Sequence, residues 1–273
     1  NYKVTFVGTD GTNPATYTID PRPISVTIGD AAGYYGNKPS LTPGEDGGEV
    51  KLTVTTPEEK PGEGLVTGEN IYEVLTGLKL TTDADKTSPV KDGGYPISAT
   101  GGEDGVYGNY RVTWKEGTYT VEKRPVTITI ADQESVYGEA VKKPSYTSAL
   151  TGAPGQDGIV NGDDKNGSLV ITLETDAVDG ADAKEYKITA TITGDDVTGG
   201  VADNYDIKVE NGTYTITQAT LTAEFGSPSE NIYVGGTVEN PVILTSSTEG
   251  KLTGVPDDVT VTYSSDNTGI ATV

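Results

Sequence analysis

NYDIKVENGTYTI, residues 204–216, decides the fold. Tyr205, Ile207 and Val209 alternate with polar residues, and so do Tyr214 and Ile216, which is the period of a half-buried strand. Between the two runs lies Asn211-Gly212, a dipeptide that tolerates positive φ and predicts a β-hairpin. The phrase is written twice more. NYRVTWKEGTYTV begins at Asn109, and NYKVTF, followed by a longer turn and TYTI, begins at Asn1.

Working outward, each phrase runs into a proline-bearing junction, Pro21-Arg22-Pro23 or Lys123-Arg124-Pro125. An alternating strand then begins, with Ile24, Val26 and Ile28 after the first junction and Val126, Ile128 and Ile130 after the second. Proline is tolerated at the start of a strand and not inside a sheet. Tyr17, Tyr119 and Tyr214 fall at intervals of 102 and 95 residues. A period of that length predicts tandem domains and not a solenoid, whose units are shorter. Apolar positions keep a period of two and Gly or Pro interrupts every long window, so no helix is expected.

Composition bounds the class. The chain has 273 residues, a net charge of −22, 36 Gly, 15 Pro and no Cys, His or Met. The acidic balance argues against nucleic acid and against docking on anionic membranes, both of which need clustered Lys and Arg. No apolar run reaches the length of a membrane-spanning helix, about 20 residues. Without Cys there is no disulfide, thiol nucleophile or thiolate metal site, and without His the commonest general base is gone. No nucleophile elbow or phosphate-cradling glycine loop occurs, and no enzyme activity is expected. The chain opens in mid-phrase and carries no leader, which reads as a fragment of something longer.

Further landmarks recur in the same order. Tyr35-Gly36 with Pro39-Ser40 matches Tyr137-Gly138 with Pro144-Ser145. Gly64-Leu65-Val66-Thr67-Gly68-Glu69 matches Gly158-Ile159-Val160-Asn161-Gly162-Asp163. Gly94 to Ala99 matches Glu185 to Ala190. This series resembles the MBG domain, a mostly bacterial Ig-like fold. Residues 21–122 and 123–217 each resemble a whole copy, and 1–20 the closing hairpin of a preceding one. Residues 218–273, ending in VTYSSDNTGIATV, resemble the first half of a group-2 bacterial Ig-like domain.

The resemblance implies all-β, tandem Ig-like β-sandwich domains in an elongated array. Strands of ordinary length give about 30 Å per domain and a rod about 100 Å long. It implies a structural stalk or spacer in a large extracellular protein, secreted or on a bacterial cell surface, as in adhesins. The partners implied are adjacent Ig-like domains of the same polypeptide. The alternative is a directly adhesive module that holds a host protein or glycan through loops or an edge strand.

Candidate sites follow from residue type. Asn161, Asp163 and Asp164 form an oxygen-rich loop of the kind calcium favours, against the plainer reading of a solvated turn. Asp195-Asp196 and Asp203 offer a second possibility if their loops meet. No other cofactor is implied. Tyr34 and Tyr35, flanked by Gly33 and Gly36, could stack on a sugar. Against this, Tyr35 matches Tyr137, and Tyr2, Tyr110 and Tyr205 share one position, which reads as core or corner-bracing tyrosine. Trp114 aligns with Phe6 and Val209 and reads as a core side chain. An isopeptide staple would draw on Lys187, Lys208 or Asn204 and needs a buried neutral lysine.

Overall fold

The computed structural model describes residues 19–44, 50–56, 62–101, 105–194, 200–225, 234–236, 242–253 and 255–264. The Asn1–Thr18 hairpin, the Asp195-Asp196 pair and the terminal stretch from Ser265 lie outside these residues. The chain is all-β and divides into two compact units. One comprises Asn1–Pro125 with Val160–Ser168 and Gly194–Asp206; the other comprises Val126–Ile159, Leu169–Thr193 and Ile207–Val273.

The first unit holds strands β1 (Arg22–Ile28), β2 (Ala31–Tyr34), β3 (Leu52–Val54), β4 (Lys79–Thr81), β5 (Tyr95–Thr100), β6 (Val106–Tyr107), β7 (Tyr110–Lys115) and β8 (Gly117–Glu122). They form two four-stranded sheets in the orders β3-β1-β7-β6 and β2-β8-β5-β4. Alternation along β1 does what its sequence predicts: Ile24, Val26 and Ile28 are buried between polar neighbours. β1 runs parallel to β7 over six residue pairs, from Arg22 opposite Tyr110 to Thr27 opposite Lys115. β2 runs parallel to β8, Ala31 opposite Tyr119.

Strands β9 (Arg124–Ile130), β10 (Gln133–Val136), β11 (Tyr146–Leu150), β12 (Ala153–Asp157), β13 (Leu169–Thr175), β14 (Glu185–Gly194), β15 (Tyr205–Glu210) and β16 (Gly212–Thr217) make two further sheets. Their orders are β12-β11-β9-β15 and β10-β16-β14-β13. The core of the second unit joins both sheets through Ile130 of one and Ile188, Tyr214 and Ile216 of the other. Strands β17 (Leu221–Phe225), β18 (Val242–Ser246) and β19 (Gly250–Lys251) form a three-stranded antiparallel sheet after them.

The predicted hairpin is corrected. β15 and β16 lie in different sheets, and so do β7 and β8. Gly212 and Gly117 are absent from the positive-φ positions, and so is Asn211. The glycine is there for room: a Cβ on Gly212 would meet the carbonyl oxygens of Ile130 at 2.9 Å and Ala131 at 3.0 Å. On Gly117 it would meet those of Gly29 at 2.3 Å and Ile28 at 2.7 Å. An aspartate then fixes each corner, Thr213 N–H donating to Asp132 Oδ1 and Thr118 N–H to Asp30 Oδ1, both at 2.8 Å. The stretch is a corner that hands the chain from one sheet to the other.

The expectation of no helix is corrected as well. A single turn, α1 (Ile71–Val74), starts at Asn70, whose Oδ1 accepts the Tyr72 N–H at 2.8 Å, and a 3₁₀ turn spans Val201–Asn204. One capped turn is too short to impose a 3.6-residue apolar period, so the pattern could not reveal it.

Candidate functional site

Tyr205 opens β15 and is buried, as the alternation predicts. Its hydroxyl accepts the Val160 N–H at 3.1 Å and donates to Asp163 Oδ2 at 2.8 Å. A second hydroxyl, from Tyr35, donates to the same oxygen at 3.1 Å. The Tyr35 and Tyr205 rings meet edge to face, centroids 5.4 Å apart. All four residues belong to the first unit. Asp163 is 4% exposed and so is not a solvated turn residue. Its carboxylate binds two tyrosines.

Burial, more than any neighbour, drives the Tyr35 and Tyr205 hydroxyls above their ordinary titration range. The Asp163 carboxylate adds to that rise by holding both protons, so the cluster is built around neutral phenols. Around it the backbone is pinned. Asn161, the one described non-glycine residue at positive φ (55°), donates from Nδ2 to the Lys86 carbonyl at 3.1 Å. Asn204 is buried and accepts the Val90 N–H at 2.7 Å.

The turn after β2 completes the arrangement. Tyr35 N–H donates to the Glu122 carbonyl at 2.9 Å, and Arg124 donates from Nη1 to the Tyr35 carbonyl at 3.3 Å and to Asn37 Oδ1 at 3.2 Å. Gly36 has φ +88°, and a Cβ there would fall 2.3 Å from Val160 Cγ2. Glycine therefore serves the turn and the close approach of Val160 together.

Part of this recurs at the positions matched by sequence. Tyr110 accepts the Val66 N–H at 3.1 Å and donates to Glu69 Oε2. Burial raises the Tyr110 pKa first, and its hydrogen bond to Glu69 raises it further. Arg22, at the place of Arg124, donates from Nε to the Gly64 carbonyl at 2.8 Å and from Nη2 to the Glu63 carbonyl at 2.7 Å.

The tyrosine pair separates. Tyr34 ends β2 and is 39% exposed, whereas Tyr35 is 4% exposed and part of the cluster, so the two do not form one sugar-binding loop. The match of Tyr35 to Tyr137 holds for the backbone, since Tyr137 N–H donates to the Thr217 carbonyl at 2.8 Å. It fails for the side chain: Tyr137 is 39% exposed, and the expectation of a core residue there is corrected. No carboxylate meets its hydroxyl among the described residues. Instead Thr248 Oγ1 donates to its carbonyl at 2.7 Å, and a Cβ on Gly138 would meet Thr248 Oγ1 at 2.6 Å.

The remaining candidates do not converge. Asp164 is partly buried and Asp203 lies exposed in the 3₁₀ turn. Among the described residues no three acidic side chains gather as a metal site. Lys187 is exposed, and Lys208 pairs with Glu210 at 3.0 Å with 66% of its side chain exposed, so neither is a buried neutral lysine. Trp114 is only partly buried, its ring edge-on to Tyr107 at 6.2 Å. A shallow, open depression lined by Pro144, Leu173, Glu174, Asp176 and Lys187 marks the second unit.

Sequence reasoning missed Asp30, Asp132 and the buried role of Asp163. The signal for the last was present: an acid at one matched position, Glu69 or Asp163, accompanies a tyrosine at another, Tyr110 or Tyr205.

In the comparisons with known proteins, residues 126–215 match the family model of the MBG domain (YGX type). No curated protein and no solved structure matches the chain significantly.

Proposed function

We propose that the chain is a non-catalytic spacer from a large bacterial surface or secreted protein, built of tandem MBG-like repeats at residues 21–122 and 123–217 and closed by a partial group-2 Ig-like module. MBG domains are domains of bacterial surface proteins. The observation that carries the reading is that the polar groups most suggestive of a ligand site are engaged by the fold itself. Asp163 holds two tyrosine hydroxyls, one of them from Tyr35, and Asn161 holds the Lys86 carbonyl. The matched bonds at Val66, Glu69 and Tyr110 support two repeats of one design.

Its work is to set a distance between the parts of the polypeptide it joins. The test replaces residues 21–217 in the parent protein by unrelated β-domains of equal length. Surface display and adherence of the bacterium are expected to persist. Loss of adherence with display intact overturns the spacer reading.

A second reading, direct adhesion by strand addition, is favoured by β13. This seven-residue strand edges its sheet, carries the exposed Val170 and contains no proline. Val170→Lys and Thr172→Pro would abolish capture of host matrix proteins on this reading and leave it unchanged on the first.

A further inference from the structure

The Val160–Asp163–Tyr205 cluster is a receptor that a tyrosine-glycine turn fills. Its counterpart at Val66, Glu69 and Tyr110 keeps the two internal bonds, Val66 N–H to the Tyr110 hydroxyl and the Tyr110 hydroxyl to Glu69. What differs is the covering. Val66 is 45% exposed, where Val160 lies under Gly36. Glu69 is exposed, where Asp163 is buried. Arg22 uses Nε and Nη2 on the Gly64 and Glu63 carbonyls, and no hydrogen bond from its Nη1 is seen among the described residues. In Arg124 that nitrogen holds the Tyr35 carbonyl.

We propose that Val66, Glu69, Tyr110 and Arg22 form a docking site for the tyrosine-glycine turn of a repeat that precedes Pro21 in the same polypeptide. This deepens the spacer reading and rests on it. The occupant is identified by the filled example. Val160 takes the glycine of the turn, Asp163 takes a second tyrosine hydroxyl beside that of Tyr205, and Arg124 takes the turn's carbonyl. Each group has its equivalent at the open site.

The route of the chain identifies the source. Tyr35 N–H is bonded to the carbonyl of Glu122, the last residue of β8, so the turn sits beside the strand end that leads straight into Arg124. The residues before Arg22 read TYTIDP, where those before Arg124 read TYTVEK. A repeat ending in that phrase delivers its turn to the groups around Arg22 by the same short path. Side-chain chemistry suits the contact: an exposed valine gains cover, and a glutamate oxygen gains a phenol donor.

The first experiment lengthens the full chain by placing a copy of residues 21–108 before Asn1, which gives the Asn1–Asp20 phrase the rest of a repeat. Amide exchange at Val66 is expected to slow by more than about tenfold, and to return to the parent rate when the added turn carries Tyr→Ala. Unchanged Val66 exchange beside protected amides in the added copy overturns docking and leaves the tandem reading in place. So does a slowing that survives loss of the tyrosine.

The second experiment needs no added repeat. Asp163→Glu writes the acid of Glu69 into the filled receptor and leaves Asn161 at its positive φ. Val160 exchange is expected to stay within about threefold of the parent, whereas Asp163→Ala accelerates it more than about tenfold. An Asp163→Glu variant that behaves like Asp163→Ala shows that a Glu69-type receptor cannot hold the turn, and overturns the proposal even where the added copy fails to fold.

Discussion

Asp132 accepts the amide of Thr213 from 81 residues away, at 2.8 Å, and so pins the corner where the chain leaves one sheet for the other. Asp30 does the same for Thr118. Removing either acceptor leaves a backbone N–H at the corner without its partner. Asp132→Ala is expected to cost about 1–2 kcal/mol, read as a lower urea midpoint at unchanged slope. Asp132→Asn keeps the accepting Oδ1 and is expected to cost less than half as much.

Gly117 and Gly212 test why glycine stands at these corners. Neither has positive φ, so alanine meets no backbone strain at either position. The approach alone sets the cost, and it is closer at Gly117 (2.3 Å) than at Gly212 (2.9 Å). Gly117→Ala is expected to destabilise by about 1–3 kcal/mol and Gly212→Ala by less, in chemical denaturation. Equal effects, or the reverse order, would contradict the contact explanation.

The tyrosine-aspartate cluster sets an alkaline limit. Tyr35, Tyr110 and Tyr205 have folded pKa values above their ordinary 10.0, chiefly through burial. Above about pH 10 the unfolded chain releases phenolic protons that the folded chain keeps, so the contribution of these tyrosines is full below that pH and is lost as pH rises. Tyr205→Phe is expected to flatten the alkaline slope while lowering stability at neutral pH, because it removes the Val160 and Asp163 hydrogen bonds. Denaturant midpoints measured from about pH 8 to 11 would show both effects.

Asn204 braces the backbone, its Oδ1 accepting the Val90 N–H at 2.7 Å. Asn204→Ala is expected to cost about 1–3 kcal/mol, because the Val90 amide loses its acceptor. The intact mass of the chain should equal the sequence mass, with no loss of ammonia. A missing ammonia would restore the isopeptide reading.

Much of the architecture was legible in the chain. Ile24, Val26 and Ile28, and Val126, Ile128 and Ile130, are buried as their alternation demands, because a period of two maps directly onto the faces of a strand. What misled was Asn211-Gly212. The dipeptide signals a local turn through φ, whereas the glycine here answers a contact with Ile130 and Ala131 some 80 residues earlier, which local sequence cannot display. Asp163 was hidden for a similar reason. An acid among Gly, Asn and Lys looks solvated until two distant tyrosines are brought onto it. Tyr137 shows the converse, since its backbone keeps the matched position but no cluster among the described residues covers its ring.

The parallel ladders have a mechanical consequence. β2 lies beside β8 with Tyr34 opposite Glu122, and β1 lies beside β7 with Arg22 opposite Tyr110. Traction applied backward at Arg22 and forward at Glu122 slides neighbouring strands past one another lengthwise. The rungs of each ladder then share the load and must rupture together, where an antiparallel pair pulled from one end would peel open a rung at a time.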